Sequence, residues 1–114
     1  MLLNIGEKVH IVIRRAFEGD LRRHFVGEIM DASDTAIRVK GYSFIFDEGI
    51  GKFQRKPEIR IRIFSLIDAR IIINIISPSS EIEKVTYSLS KDNNYVVTDG
   101  GHFQLDINEF GVKR

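Results

Sequence analysis

Thr35–Asp47 reads TAIRVKGYSFIFD, and its first half alternates, with Ile37 and Val39 on one side of an extended chain and Arg38 and Lys40 on the other. A period of two marks a half-buried strand, because successive side chains of an extended backbone point to opposite faces. Gly41, in the middle, marks a bulge. The same alternation appears upstream in Lys8–Phe17 (KVHIVIRRAF), where Val9, Ile11 and Ile13 oppose His10, Val12 and Arg14. It appears again downstream, with Ile59, Ile61 and Ile63 against Arg60 and Arg62.

Turn chemistry separates these runs. Glu18, Gly19 and Asp20 form one turn and Ser33 with Asp34 another, which leaves His24–Ala32 (HFVGEIMDA) as a second strand. Gly27 weakens a straight strand and is expected to bend this one. Glu48 to Pro57 contains Gly49, Gly51 and Pro57 and reads as a loop. Arg70–Ile76 (RIIINII) abandons the alternation, so its isoleucines are expected to need cover on both faces.

Ser77, Pro78, Ser79 and Ser80 then break the chain, and Glu81 to Glu83 suits one short helical turn capped by Ser80. Val85–Leu89, Tyr95–Thr98 and His102–Ile107, with turns at Lys91–Asn94 and Asp99–Gly101, read as a meander. Nothing has the length and periodicity of an amphipathic helix. The expectation is an all-β fold in one domain spanning residues 1–114. Five strands at 7–76 make a small barrel, and a β-rich carboxy-terminal extension occupies 81–110.

Composition supports a packed core: of 114 residues, 43% are hydrophobic and 29% charged, far from the balance that keeps chains disordered. The chain has no cysteine, which excludes disulfides, thiolate metal sites and a thiol nucleophile. No apolar run approaches a membrane span, and the opening MLLNIG is too short for a signal-peptide core, so the expected location is cytoplasmic. Net charge is +1, with 13 cations against 10 anions up to Ile76 and 4 against 6 beyond it. Bulk charge alone therefore creates no strong attraction for nucleic acid or a membrane.

The five-strand order with a Gly-bent second strand resembles the Sm-like family, RNA-associated proteins that assemble as rings. The resemblance rests on FVGEIMDASDTAIRV, where Gly27, Ile29, Asp34, Ala36, Ile37 and Val39 match the family's first motif. The RNA-contacting Asn of the eukaryotic and archaeal branch falls on Ile37, which cannot make that hydrogen bond. Leu66, Ile67, Asp68 and Ala69 stand where the family's Arg-Gly pair belongs, and the bacterial Tyr-Lys-His is absent. The resemblance implies a small barrel, a homo-oligomer and RNA as a partner, without the family's uridine pocket. It also implies that the fourth and fifth barrel strands pair with neighbouring copies, which would cover RIIINII. The carboxy-terminal meander fits that covering role equally.

Arg38, Lys40, Arg60 and Arg62 occupy alternate positions of two strands and, if those strands are neighbours, form a basic patch for RNA phosphates. Solvated strand faces account for the same residues. Arg14, Arg15, Arg22 and Arg23 form a second basic group, diluted by Glu18 and Asp20. Tyr42, Phe44 and Phe46 alternate as a base-stacking platform would, or as half of a core. His10, His24 and His102 are scattered, so no metal site is expected. Asp99, Asp106 and Glu109 surround two turns without the spacing of a calcium loop.

No phosphate loop, nucleophile elbow or acid–base carboxylate pair is present. The expected function is a non-enzymatic binding module, homo-oligomeric and RNA-binding, with no cofactor, no small-molecule substrate and no membrane partner. The alternative is a structural or protein–protein assembly domain without nucleic acid. An enzyme would be marked by a cleft between barrel and extension with converging polar groups and a perturbed ionisable group.

Overall fold

The computed structural model describes residues 2–107. They form nine strands and one short 3-10 turn: β1 (Lys8–Ile13), β2 (Arg23–Ala32), β3 (Ala36–Asp47), β4 (Lys52–Arg55), β5 (Arg60–Ser65) and β6 (Ile71–Ile75), then the turn at Ile82–Lys84, β7 (Thr86–Leu89), β8 (Tyr95–Thr98) and β9 (Gln104–Asp106). Every pairing is antiparallel. The all-β class and the meander follow the sequence reading.

The first six strands form one sheet, ordered β4-β3-β2-β1-β6, with β5 also on β3. β3 is long enough to serve two partners on the edge opposite β2: residues 36–41 pair with β5 and residues 44–47 with β4. β4 lies inside the segment expected to be a loop. Its KFQR sequence is short and bounded by Gly51 and Pro57, and what makes it a strand is its pairing with β3, including Phe53 opposite Phe46. β5 and β6 do not pair with each other, so the sheet stays open at both and no closed five-stranded barrel is formed among the described residues.

Gly27 and Gly41 face each other across β2 and β3. A Cβ on Gly41 would lie 2.5 Å from Gly27 Cα, and one on Gly27 would lie 2.9 Å from Val39 Cγ1. The two backbones touch here, and only glycine fits. A bulge between Ile29 and Asp31 returns Met30 to solvent and adds twist.

Each face of this sheet carries its own core. On one face Val9, Ile11, Phe25, Ile29, Ile37, Val39 and Phe64 pack together, with Ile71 and Ile73 against them. On the other, Val26 and Phe44 meet Ile76, Ile82, Val85, Tyr87 and Val97, so the meander covers this half of the sheet. Each fully buried large apolar side chain contributes roughly 1.5–3 kcal/mol, which makes the meander part of the fold's stability. RIIINII is covered only in part, since Ile75 remains 55% exposed. Ser80 does not cap the short turn: Glu81 holds the cap position, and the buried Ser80 hydroxyl has no hydrogen-bond partner among the described residues.

Candidate nucleic-acid interface

The pairing of β3 with β5 decides where the predicted basic residues go. Arg62 sits opposite Val39 and Arg60 opposite Gly41, whereas Arg38 faces Ile63 and Lys40 faces Ile61. Paired residues share a face, so Arg60 and Arg62 lie on one side of the sheet and Arg38 and Lys40 on the other. The four-residue patch is therefore not formed, although the two strands are neighbours. The register is set by Phe64, which joins Ile37 and Val39 in the core and places the even-numbered residues of β5 on that side. Ile59, Ile61 and Ile63 consequently point to solvent, 52%, 60% and 66% exposed, on an edge strand.

Arg60 and Arg62 instead converge with Arg23 and Lys56 on a groove of about 270 Å³, whose wall also includes Ser43, Ile45, Pro57 and Glu58. Arg23 arrives from the start of β2, opposite Ile45. Lys56 is held by its own amide, which donates to the Ser43 carbonyl at 2.8 Å, before Pro57 redirects the chain into β5. Arg60 pairs with Glu58 at 2.8 Å, an exposed contact. Among the described residues, Arg23, Lys56 and Arg62 have no carboxylate within ion-pair distance. Four cations against one paired anion make this groove attractive to phosphate. Arg38, on the opposite face, contacts Asp31 at 3.6 Å.

A larger cavity of about 660 Å³ adjoins the groove and shares Ile45, Lys56 and Pro57 with it. Arg22 lies in its wall with its guanidinium over the Phe46 ring, 5.0 Å from the centroid. Arg55 covers Tyr42 in the same way at 4.5 Å, and its Nη1 donates to the Glu83 carbonyl at 2.6 Å. Phe44 is buried in the core. The alternating aromatics are thus core and guanidinium supports, and present no free row of ring faces.

His10 and His24, scattered in sequence, meet in the structure. His10 pairs with Val26 and His24 with Val12, which makes the two histidines diagonal neighbours on the face covered by the meander. The Asn74 amide donates to His10 Nδ1 at 3.1 Å, which places the ring proton on Nε2, 3.1 Å from the Tyr87 hydroxyl. That hydroxyl in turn donates to His24 Nδ1 at 2.6 Å. Burial lowers the pKa of His10 to about 4. Burial, with the neighbouring His10 charge, lowers that of His24 to about 3. Burial also raises the Tyr87 phenol well above its ordinary value. These are the perturbed groups between the two sheets, and they form a chain of hydrogen bonds among neutral side chains.

Asp99 anchors the turn between β8 and β9. Its carboxylate accepts from the amides of Glu81, Gly101, His102 and Phe103 and from His102 Nδ1. Loss of solvent raises its pKa, but these hydrogen bonds outweigh that and hold it well below the usual carboxylate range. Asp106 lies on β9, and Glu109 falls outside the described residues. Among the described residues no three His, Cys, Asp or Glu side chains cluster to hold a metal, and no helix is long and apolar enough to cross a membrane.

No protein-family model matches the chain, and no curated protein or solved structure is significantly similar to it.

Proposed function

We propose that this chain is a non-enzymatic, RNA-binding module of Sm-like plan, which holds the phosphates of a single strand in the groove of Arg23, Lys56, Arg60 and Arg62. The supporting observation is the convergence of four cations from β2, the β4–β5 connection and β5, three of them without a carboxylate partner among the described residues. Arg60 and Arg62 keep the role suggested by their sequence pattern, with Arg23 and Lys56 as neighbours in place of Arg38 and Lys40.

The test is fluorescence anisotropy with a short single-stranded RNA across a salt series. Neutralising four phosphates gives a slope of log K against log salt near −2.8, so affinity falls roughly 50-fold from about 50 to about 200 mM. The charge reversal R60E/R62E flattens the slope by about 1.4, whereas R38E/K40E leaves it in place. Wild-type binding without salt dependence, or an unchanged slope in R60E/R62E, refutes the groove.

A second reading, assembly with further copies, is favoured by the open β5 edge and its exposed Ile59, Ile61 and Ile63, because native proteins seldom leave an apolar edge strand uncovered. β5 and β6 are the fourth and fifth strands of the Sm-like plan. Their pairing between copies would account for both open edges. Light scattering after size exclusion, at low and high salt, tests it: a salt-resistant oligomer that retains no RNA favours assembly alone, and a monomer refutes it.

A further inference from the structure

We infer that the 660 Å³ cavity beside the phosphate groove is a nucleobase site with a preference for guanine. The inference rests on the proposed reading of the groove as a phosphate track, since the two spaces share Ile45, Lys56 and Pro57 and a nucleotide bound in one extends into the other. The volume is in the range of small-molecule sites and accepts a base with its ribose.

The stacking surface is Arg22. Arg22 is half-buried, its guanidinium carbon lies 5.0 Å from the Phe46 ring centroid, and both residues line the cavity. Single-stranded bases stack on guanidinium planes as they do on aromatic rings, and a plane already fixed by a ring loses little freedom on binding. Lysine in this position would keep the charge and lose the surface.

The edge of the base is read by carboxylate. Asp47 lines the same cavity at the end of β3, and its Oδ1 accepts from the Gly49 amide at 2.9 Å, which fixes the orientation of the group. Oδ2 has no hydrogen-bond partner among the described residues. A carboxylate accepts and does not donate. Guanine offers it two adjacent donors, N1–H and N2–H. Uracil offers one N–H flanked by two carbonyl oxygens, which a carboxylate repels. Adenine and cytosine offer one amino group beside a ring acceptor. The cavity therefore suits guanine best and uracil worst.

The experiment compares labelled octauridylate with the same oligomer carrying one central guanosine, by anisotropy at a fixed moderate salt and across a salt series. Wild type is expected to bind the guanosine oligomer roughly tenfold more tightly. R22K and D47N are expected to erase most of that preference while keeping the salt slope, with thermal midpoints near wild type because both side chains lie at the cavity wall. Equal affinity of wild type for both oligomers, with a normal salt slope, overturns the base site and leaves the phosphate groove standing. A preference that survives both substitutions overturns the assignment to Arg22 and Asp47. Absence of salt-dependent binding to either oligomer overturns the phosphate reading and this inference together.

Discussion

Acidification is expected to loosen this fold well before its carboxylates titrate. In the native state His10 and His24 are neutral and hydrogen-bonded through Tyr87, with pKa values of about 4 and about 3, against an ordinary value of 6.5. Below pH 6.5 the unfolded chain binds protons that the native chain refuses, so the unfolded state gains. Stability is full above about pH 6.5 and declines as pH falls towards 4 for His10 and 3 for His24. With both groups titrating, the slope is about 3 kcal/mol per pH unit, and the loss at pH 5 is on the order of 4 kcal/mol. For a domain of this size that is a large share of total stability and lowers the melting temperature by about 15 °C. Urea denaturation at half-unit steps from pH 7.5 to 4.5 measures it, with H10Q/H24Q as the control whose slope flattens. A wild-type midpoint that does not move between pH 7 and 5 would show that the two rings are not buried neutral, and the network would have to be redrawn.

Three further outcomes follow from particular contacts. G41A forces a Cβ to 2.5 Å from Gly27 Cα and is expected to destabilise the sheet by roughly 2–4 kcal/mol, read as a lower denaturation midpoint. D99A strips the carboxylate from the five N–H groups it accepts and is expected to cost about 2–4 kcal/mol, with amide exchange faster in the 99–103 turn and at Glu81 than elsewhere. I61K alters an exposed edge residue and is expected to leave the melting temperature within about 2 °C while lowering the solution mass of any oligomer built on β5.

Much of the architecture was legible because β periodicity is a local property. β1, β2, β3, β5, β6, β7 and β8 lie within a few residues of their expected places, and Gly27, expected to bend its strand, is where the β2 and β3 backbones touch. Its partner Gly41, read as a bulge, is instead paired in register as the other half of that contact, and the bulge falls on β2 between Ile29 and Asp31. β4 was not legible, because four residues between glycines and a proline carry no period, and Phe53 finds Phe46 only once β3 is in place. The alternation of Ile59, Ile61 and Ile63 with Arg60 and Arg62 left direction open. A run of Ile and Arg tells which residues share a face, but not which face is inside, and Phe64 with the register on β3 turned the isoleucines outward. The same register separated Arg60 and Arg62 from Arg38 and Lys40.

What the amino-acid sequence determined by itself is the class: extended segments, their turns, the absence of cysteine chemistry and the residue types available for binding. The tertiary structure decided which of those residues meet. Arg23 and Lys56 join Arg60 and Arg62, and His10, His24, Tyr87 and Asn74 come together across as many as 77 residues of chain. Strand order and register are long-range pairings, selected by how two cores are filled at once, and no local pattern encodes them.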